Sequence, residues 1–124
     1  MSFLVSKAYL GLIRLEFHLA RGNFRALYDK VRGYPLGRKA VSPDVVNQVC
    51  AAMDTACICY WKEVLCLQRS VATACLLKSC GLPAQMVIGA QQVPFKAHAW
   101  VEVDGQVVND KLDIREMYTV LDRC

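Results

Sequence analysis

At Gly81-Leu82-Pro83 the hydrophobic period of this chain changes. Upstream, apolar residues recur at three- and four-residue intervals, the spacing of helices packed through one face. Downstream they fall into short β-branched runs split by turn residues, the pattern of paired strands. Glycine just past a helix and proline beyond it are stop signals, so the boundary is sharp. Helices followed by an antiparallel sheet define an α+β fold.

Before the boundary four helices are expected. Residues 3–20 carry Leu10, Ile13, Phe17 and Ala20 at helical spacing, and residues 24–32 carry Phe24, Leu27 and Val31. Gly22-Asn23 separates them, and the segment 33–39, GYPLGRK, reads as a linker. Ser42-Pro43-Asp44 starts a helix reaching about Ile58: a capping hydroxyl, proline at the first helical position, and an acid in the first turn. After a connection through Tyr60 and Trp61, another helix begins near Leu65 or Cys66 and ends at Gly81. Its stripe is Leu67, Val71, Ala74 and Lys78, with Cys66, Ser70, Thr73 and Leu77 beside it. Strands are expected at 85–88, 97–103 and 107–109, with a turn at Asp104-Gly105, and at 118–121.

With 124 residues, 55 % of them hydrophobic and 21 % charged, the chain has the composition of one packed globule, with room for an appended subdomain. The longest charge-free run, between Lys78 and Lys96, is broken by Gly81, Pro83, Gln85, Gln91, Gln92 and Pro94, which excludes a membrane span there. The start MSFLVSK is too short for a signal-peptide core. Seven cysteines, an odd number, without an export signal predict a reducing, cytoplasmic setting without a disulfide framework.

Charge is unevenly spread. Residues 1–40 have eight basic and two acidic side chains, a balance of +6, and the rest balance to −2. This divides the chain into a basic helical arm, residues 1–40, and a body, residues 41–124. Such an arm suits an acidic partner, an anionic membrane face or nucleic acid, or simply forms a solvated helix face. No nucleic-acid motif accompanies it, and stacking aromatics do not interleave with its cations.

The spacing of Cys57-x-Cys59, with Cys75 and Cys80 unpaired to a second knuckle, does not match zinc ligation, and no metal or cofactor is expected. Gly33 and Gly37 with Arg38 lack P-loop spacing. What remains is a cysteine, a histidine and a carboxylate in the order Cys66, His98, Asp110. Cys66 opens a helix, where free N–H groups and the macrodipole favour a thiolate. His98 lies in a strand between two alanines, and Asp110 follows the return strand. Together they have the parts of an activated nucleophile: thiol, base, and a group orienting the base. Against this stands the ordinary use of cysteine as a small buried hydrophobe.

The segments Cys-Leu-x-Arg-Ser at 66–70, Gly-Leu-Pro-Ala at 81–84, Pro-Phe-x-Ala-His-Ala-Trp-Val-Glu at 94–102 and the closing Asn109-Asp110 resemble the transglutaminase-like cysteine peptidases of lasso-peptide biosynthesis, the B proteins. The likeness is strong over 66–123, moderate over 42–65, and reaches 1–40 only as a basic helical lead-in. Lys78-Ser79-Cys80 departs from it, in what reads as surface charge at a helix end. The resemblance implies a transglutaminase/papain-like core with the nucleophile at a helix N-terminus, a Cys66-His98-Asp110 triad, and removal of the leader from a precursor peptide. About 40 residues precede the peptidase-like part, fewer than a winged-helix-like leader-binding domain needs. The split form is therefore expected, with that domain a separate protein and the ring-closing enzyme a further partner. Arg14, Arg21 and Arg25 become candidates for docking to that partner or to an acidic stretch of the leader.

The implied chemistry is acyl transfer to water through a thioester. The backbone N–H of Cys66 would supply one oxyanion donor, with Trp61 and Gln68 as candidates for the second. Gln68 reads otherwise as solvent-facing, Trp61 as core or pocket wall, and Arg69 as a structural ion-pair partner in preference to a substrate clamp. Alternatives are another transglutaminase-like acyl transferase or amidase, and a non-catalytic peptide-binding module.

Strand parity imposes a condition. A two-residue turn at Asp104-Gly105 pairs Ala99 with Asp110 and puts Asp110 on the face opposite His98. The triad then requires an extra turn residue, a bulge, or Asp110 beyond the regular strand.

Overall fold

The helical half follows its capping chemistry. In a computed structural model describing residues 3–22 and 24–124, the helices are α1 Phe3–Ala20, α2 Phe24–Gly33, α3 Pro43–Cys59 and α4 Cys66–Ser79. Gly22 has φ 67°, and Asn23, its partner in the expected break, lies outside the described residues, as do Met1 and Ser2. Ser42 caps α3, its Oγ accepting from the Val45 N–H at 3.5 Å, with Pro43 as the first helical residue.

α1 is oriented differently from expectation. Val5, Ala8, Leu12 and Leu15 are buried, whereas Leu10 and Phe17 are 53 % and 66 % exposed. Two apolar stripes run along this helix, and periodicity alone does not choose between them. The buried one carries the small residues that let helices approach closely: a Cβ placed on Gly11 would lie 4.0 Å from that of Ala72 in α4. Leu27 and Val31 of α2 are buried as expected. All four residues of α1 and both of α2 share one apolar cluster with α3, α4 and the sheet.

α4 is the central element, enclosed by α1 and α3 on one side and by the sheet on the other. Most of both expected stripes is therefore buried, including Ser70, Val71, Thr73, Ala74 and Leu77, while Leu67 is half-buried and Cys66, at the helix start, is exposed. Lys78 is not surface charge: it is 7 % exposed, and its Nζ donates to the carbonyls of Val31 at 3.1 Å and Cys124 at 3.3 Å.

The sheet has the order β3-β2-β1-β4 and is antiparallel throughout. Its strands are β1 Ala84–Gln92, β2 Phe95–Val103, β3 Gln106–Val107 and β4 Thr119–Arg123. β1 and β2 extend past their expected ends because they keep pairing to Gln92 and Phe95, across the turn at Val93-Pro94. Met86, Val101 and Val103 face the helices, while Val87, Trp100 and Val107 cover the other side. A short helix, α5 Ile114–Met117, was not expected, and its Ile114 closes this second cluster. Cys124 is tied to β1, its backbone exchanging hydrogen bonds of 2.8 and 3.0 Å with Met86. All seven cysteines are free thiols.

Candidate active site

Cys66 is the first residue of α4 and is exposed. The residue before it, Leu65, sits at the N-cap and offers no side-chain acceptor. A polar cap would stabilise the helix by about 1 kcal/mol; its absence leaves the first-turn N–H groups around Cys66 uncapped by any side chain.

One turn further, on the same face, Ser70 ties this end of α4 to the sheet. Its Oγ donates to the carbonyl of Ala99 at 3.0 Å, next to His98 in β2. His98 and Asp110 come together, with Nε2 2.5 Å from Oδ2 and both side chains about a quarter exposed, 23 % and 22 %. A carboxylate can only accept, so Nε2 carries the proton and Nδ1 is left as the basic nitrogen. The second carboxylate oxygen accepts from the Lys111 N–H at 2.7 Å.

The parity condition is met in the third of the expected ways. Asp104-Gly105 is a two-residue turn with φ of 50° and 80°, pairing Val103 with Gln106 and Glu102 with Val107. β3 then stops. The Val108 N–H still donates to the Val101 carbonyl at 3.0 Å, but the returning bond is made by a side chain: the Val101 N–H donates to Asn109 Oδ1 at 2.7 Å. The main chain thus leaves the ladder at Asn109, and Asp110 escapes the alternation that would turn it from His98. Asn109 Nδ2 also donates to Ser70 Oγ at 3.4 Å. Ser70 and Asn109 thus tie α4, β2 and the segment before Asp110 together, a role that the motifs at 66–70 and 109–110 do not by themselves assign them.

Two aromatic rings flank His98, Tyr118 at 5.5 Å and Trp100 at 6.1 Å between centroids. Trp100 is fully buried, and its indole N–H donates to Glu102 at 2.9 Å. Glu102, itself 1 % exposed, also accepts from Arg123 at 2.5 Å. Opposite His98 in the register stands Gly89, where a Cβ would come 2.7 Å from the Trp100 ring and 2.9 Å from Tyr118 Cβ. Only glycine leaves space for these rings.

Cys66 forms no hydrogen bond with His98 or Asp110 among the described residues; its link to them runs through Ser70. Gln68 is not solvent-facing but 1 % exposed, its Nε2 donating to the Leu12 carbonyl at 2.9 Å and to Glu16 at 3.4 Å. Both amide hydrogens are thereby spent away from any oxyanion. Trp61 is not core: it is 69 % exposed and lies under Lys62 Nζ. Arg69 pairs with Asp54, the structural role expected of it. Arg14 on α1, Arg21 in the turn that follows it and Arg25 on α2 are all exposed. Among the described residues no three His, Cys, Asp or Glu side chains group as metal ligands, and no helix is long and apolar enough to cross a membrane.

The chain is 43 % identical over 56 residues to the microcin J25-processing protein McjB of Escherichia coli, a stretch covering 45 % of this chain and 27 % of the relative. The match therefore spans little more than a quarter of that protein. No solved structure matches. The model of the transglutaminase-like superfamily matches residues 11–123, which takes in all the strands, the His98–Asp110 pair and the uncapped head of α4. By that match this chain belongs to the transglutaminase-like superfamily.

Proposed function

We propose that the chain is a cysteine peptidase that cleaves the leader from a ribosomally made lasso-peptide precursor. The observation carrying this reading is the His98–Asp110 bond, which leaves Nδ1 basic on a sheet to which Ser70 fastens the helix end bearing Cys66. The processing role named for the similar protein and the motifs at 66–70 and 94–102 support the same substrate class.

In the substrate complex, His98 Nδ1 takes the Cys66 proton and the thiolate attacks the carbonyl at the leader–core junction. The uncapped first turn of α4, beginning with the Cys66 N–H, receives the oxyanion. With Gln68 committed elsewhere, Trp61 is the remaining candidate for the second donor. The imidazolium, held by Asp110, gives its proton to the leaving amine of the core peptide. Water then hydrolyses the thioester, releasing the leader as a carboxylic acid and restoring the thiol. A separate leader-binding protein presents the precursor, and the ring-closing enzyme takes up the freed core.

The test is incubation of a leader-bearing precursor with its binding protein and this chain, read by mass. A single cut before the core, lost in Cys66→Ala, is the expected result. Transfer of an amine in place of water identifies a different acyl transferase. Tight precursor binding without turnover in the complete mixture overturns the enzymatic reading.

A further inference from the structure

Away from the site just described, α1, α2 and α4 enclose a cleft of about 200 Å³. Gly11, Leu15 and Ala72 form part of an apolar floor, while Lys7 and Arg14 from α1 and Lys30 from α2 stand around it. No acidic residue lines it. Glu16, the acid of α1, is bound instead to Lys62, Tyr60 and Gln68. Arg14 and Lys30 take part in no ion pair among the described residues. Lys7 Nζ lies 4.9 Å from the centre of the Phe3 ring.

The outward side of α1 continues this surface. Phe3, Leu10 and Phe17 are 74 %, 53 % and 66 % exposed and recur every seventh residue, so they form one stripe. Lys7 and Arg14 follow Phe3 and Leu10 by four residues, which sets each cation beside an apolar side chain. A cationic cleft with an apolar floor thus borders an uncovered apolar ridge.

We infer that this surface binds an acidic peptide segment that also carries apolar side chains. Its carboxylates enter the cleft against Lys7, Arg14 and Lys30, and its apolar residues cover Leu10 and Phe17. Charge complementarity selects the anion, since three cations converge without an internal counter-ion. The concave shape and apolar floor select a peptide over a polyanionic strand or a lipid plane, which would be met by cations spread along a groove or over a flat face. Arg14 is the one residue of the three expected docking arginines that lines the cleft. The inference goes beyond the peptidase reading and does not require Cys66.

Binding of a fluorescein-labelled ten-residue peptide, alternating pairs of Glu and Leu, is to be measured by anisotropy with the full chain at low salt. Saturable binding is expected, weakened about tenfold or more by the double change Arg14→Glu and Lys30→Glu, and several-fold by Leu10→Ser with Phe17→Ser. Cys66→Ala binds as the parent does, which separates this surface from the proposed active site. Circular dichroism and retained thiol labelling at Cys66 verify that the surface variants are folded. Equal binding of a peptide with Lys in place of Glu, or unchanged affinity in both double variants, overturns the inference. Tighter binding of a single-stranded oligonucleotide or of phosphatidylglycerol vesicles overturns it in favour of those ligands.

Discussion

The side chain of Asn109 accepts the Val101 N–H at 2.7 Å, in the position where a continuing β3 would place its own carbonyl. This substitution of side chain for main chain releases the chain from the ladder before Asp110. It converts an arrangement that parity forbids into one in which His98 and Asp110 meet.

Asn109→Ala should therefore uncouple structure from chemistry in a measurable order. The buried Val101 N–H loses its acceptor, a cost of about 1–3 kcal/mol in denaturant unfolding. Turnover in the proposed peptidase reaction should fall further than that loss accounts for, because Asp110 is no longer held against His98. Turnover equal to the parent at a temperature where the variant is fully folded would show that Asn109 does not position the pair.

Replacing Asp110 with Asn keeps the shape but offers Nε2 a group that can donate as well as accept. Loss of the fixed tautomer is expected to reduce kcat by about 10²–10⁴-fold with little change in KM. A reduction confined to KM would assign Asp110 to binding.

Thiol reactivity separates an activated cysteine from merely accessible ones. Cys59 and Cys66 are both exposed, so Cys59 is an internal reference. Burial pushes the thiols of Cys50, Cys57 and Cys124 above their ordinary value and that of Cys75 up to about 11, which makes these four slow at neutral pH. Labelling with iodoacetamide, followed by peptide mapping, should find Cys66 faster than Cys59, and the difference should disappear in His98→Ala. Equal rates in the parent would count against an activated nucleophile.

Gly89→Ala forces a methyl group into the Trp100 ring and against Tyr118 Cβ. Trp100 is fully buried and cannot swing aside, so a destabilisation of about 1–3 kcal/mol is expected. The near-ultraviolet circular dichroism of the aromatic cluster should change with it. An unchanged spectrum and melting temperature would mean that the strand yields instead.

Glu16 joins α1 to the connection before Cys66. The Lys62 ammonium hydrogen-bonded to it, helped by the Tyr60 hydroxyl, holds its carboxyl below the ordinary value of 4.5 despite partial burial. A carboxyl with a lowered folded-state pKa contributes stability that is complete above 4.5 and is lost as pH falls through the folded value. Unfolding measured from pH 6 down to pH 2 should thus be less pH-dependent in Glu16→Gln than in the parent, with the difference below pH 4.5. Parallel curves would remove Glu16 from the acid response.

Much of the molecule is set by local chemistry that the sequence displays. Ser42 and Pro43 start α3, Gly81 and Pro83 end α4, Asp104-Gly105 closes the hairpin, and period alone separates helices from sheet. The order of Cys66, His98 and Asp110 was also visible, because residue type and position within an element are local properties. The α1 face was not, since two apolar stripes compete and only packing against α3 and α4 selects the one that is buried. Nor were the surroundings of Gln68 and Lys78, polar side chains whose burial depends on carbonyls 56 and 47 residues away. The decisive case is Asp110. The sequence by itself determined that strand alternation would turn it from His98 unless the strand broke. Only the tertiary structure decided how, because the break requires Asn109 to reach Val101 on the neighbouring strand and Ser70 on a helix 39 residues earlier.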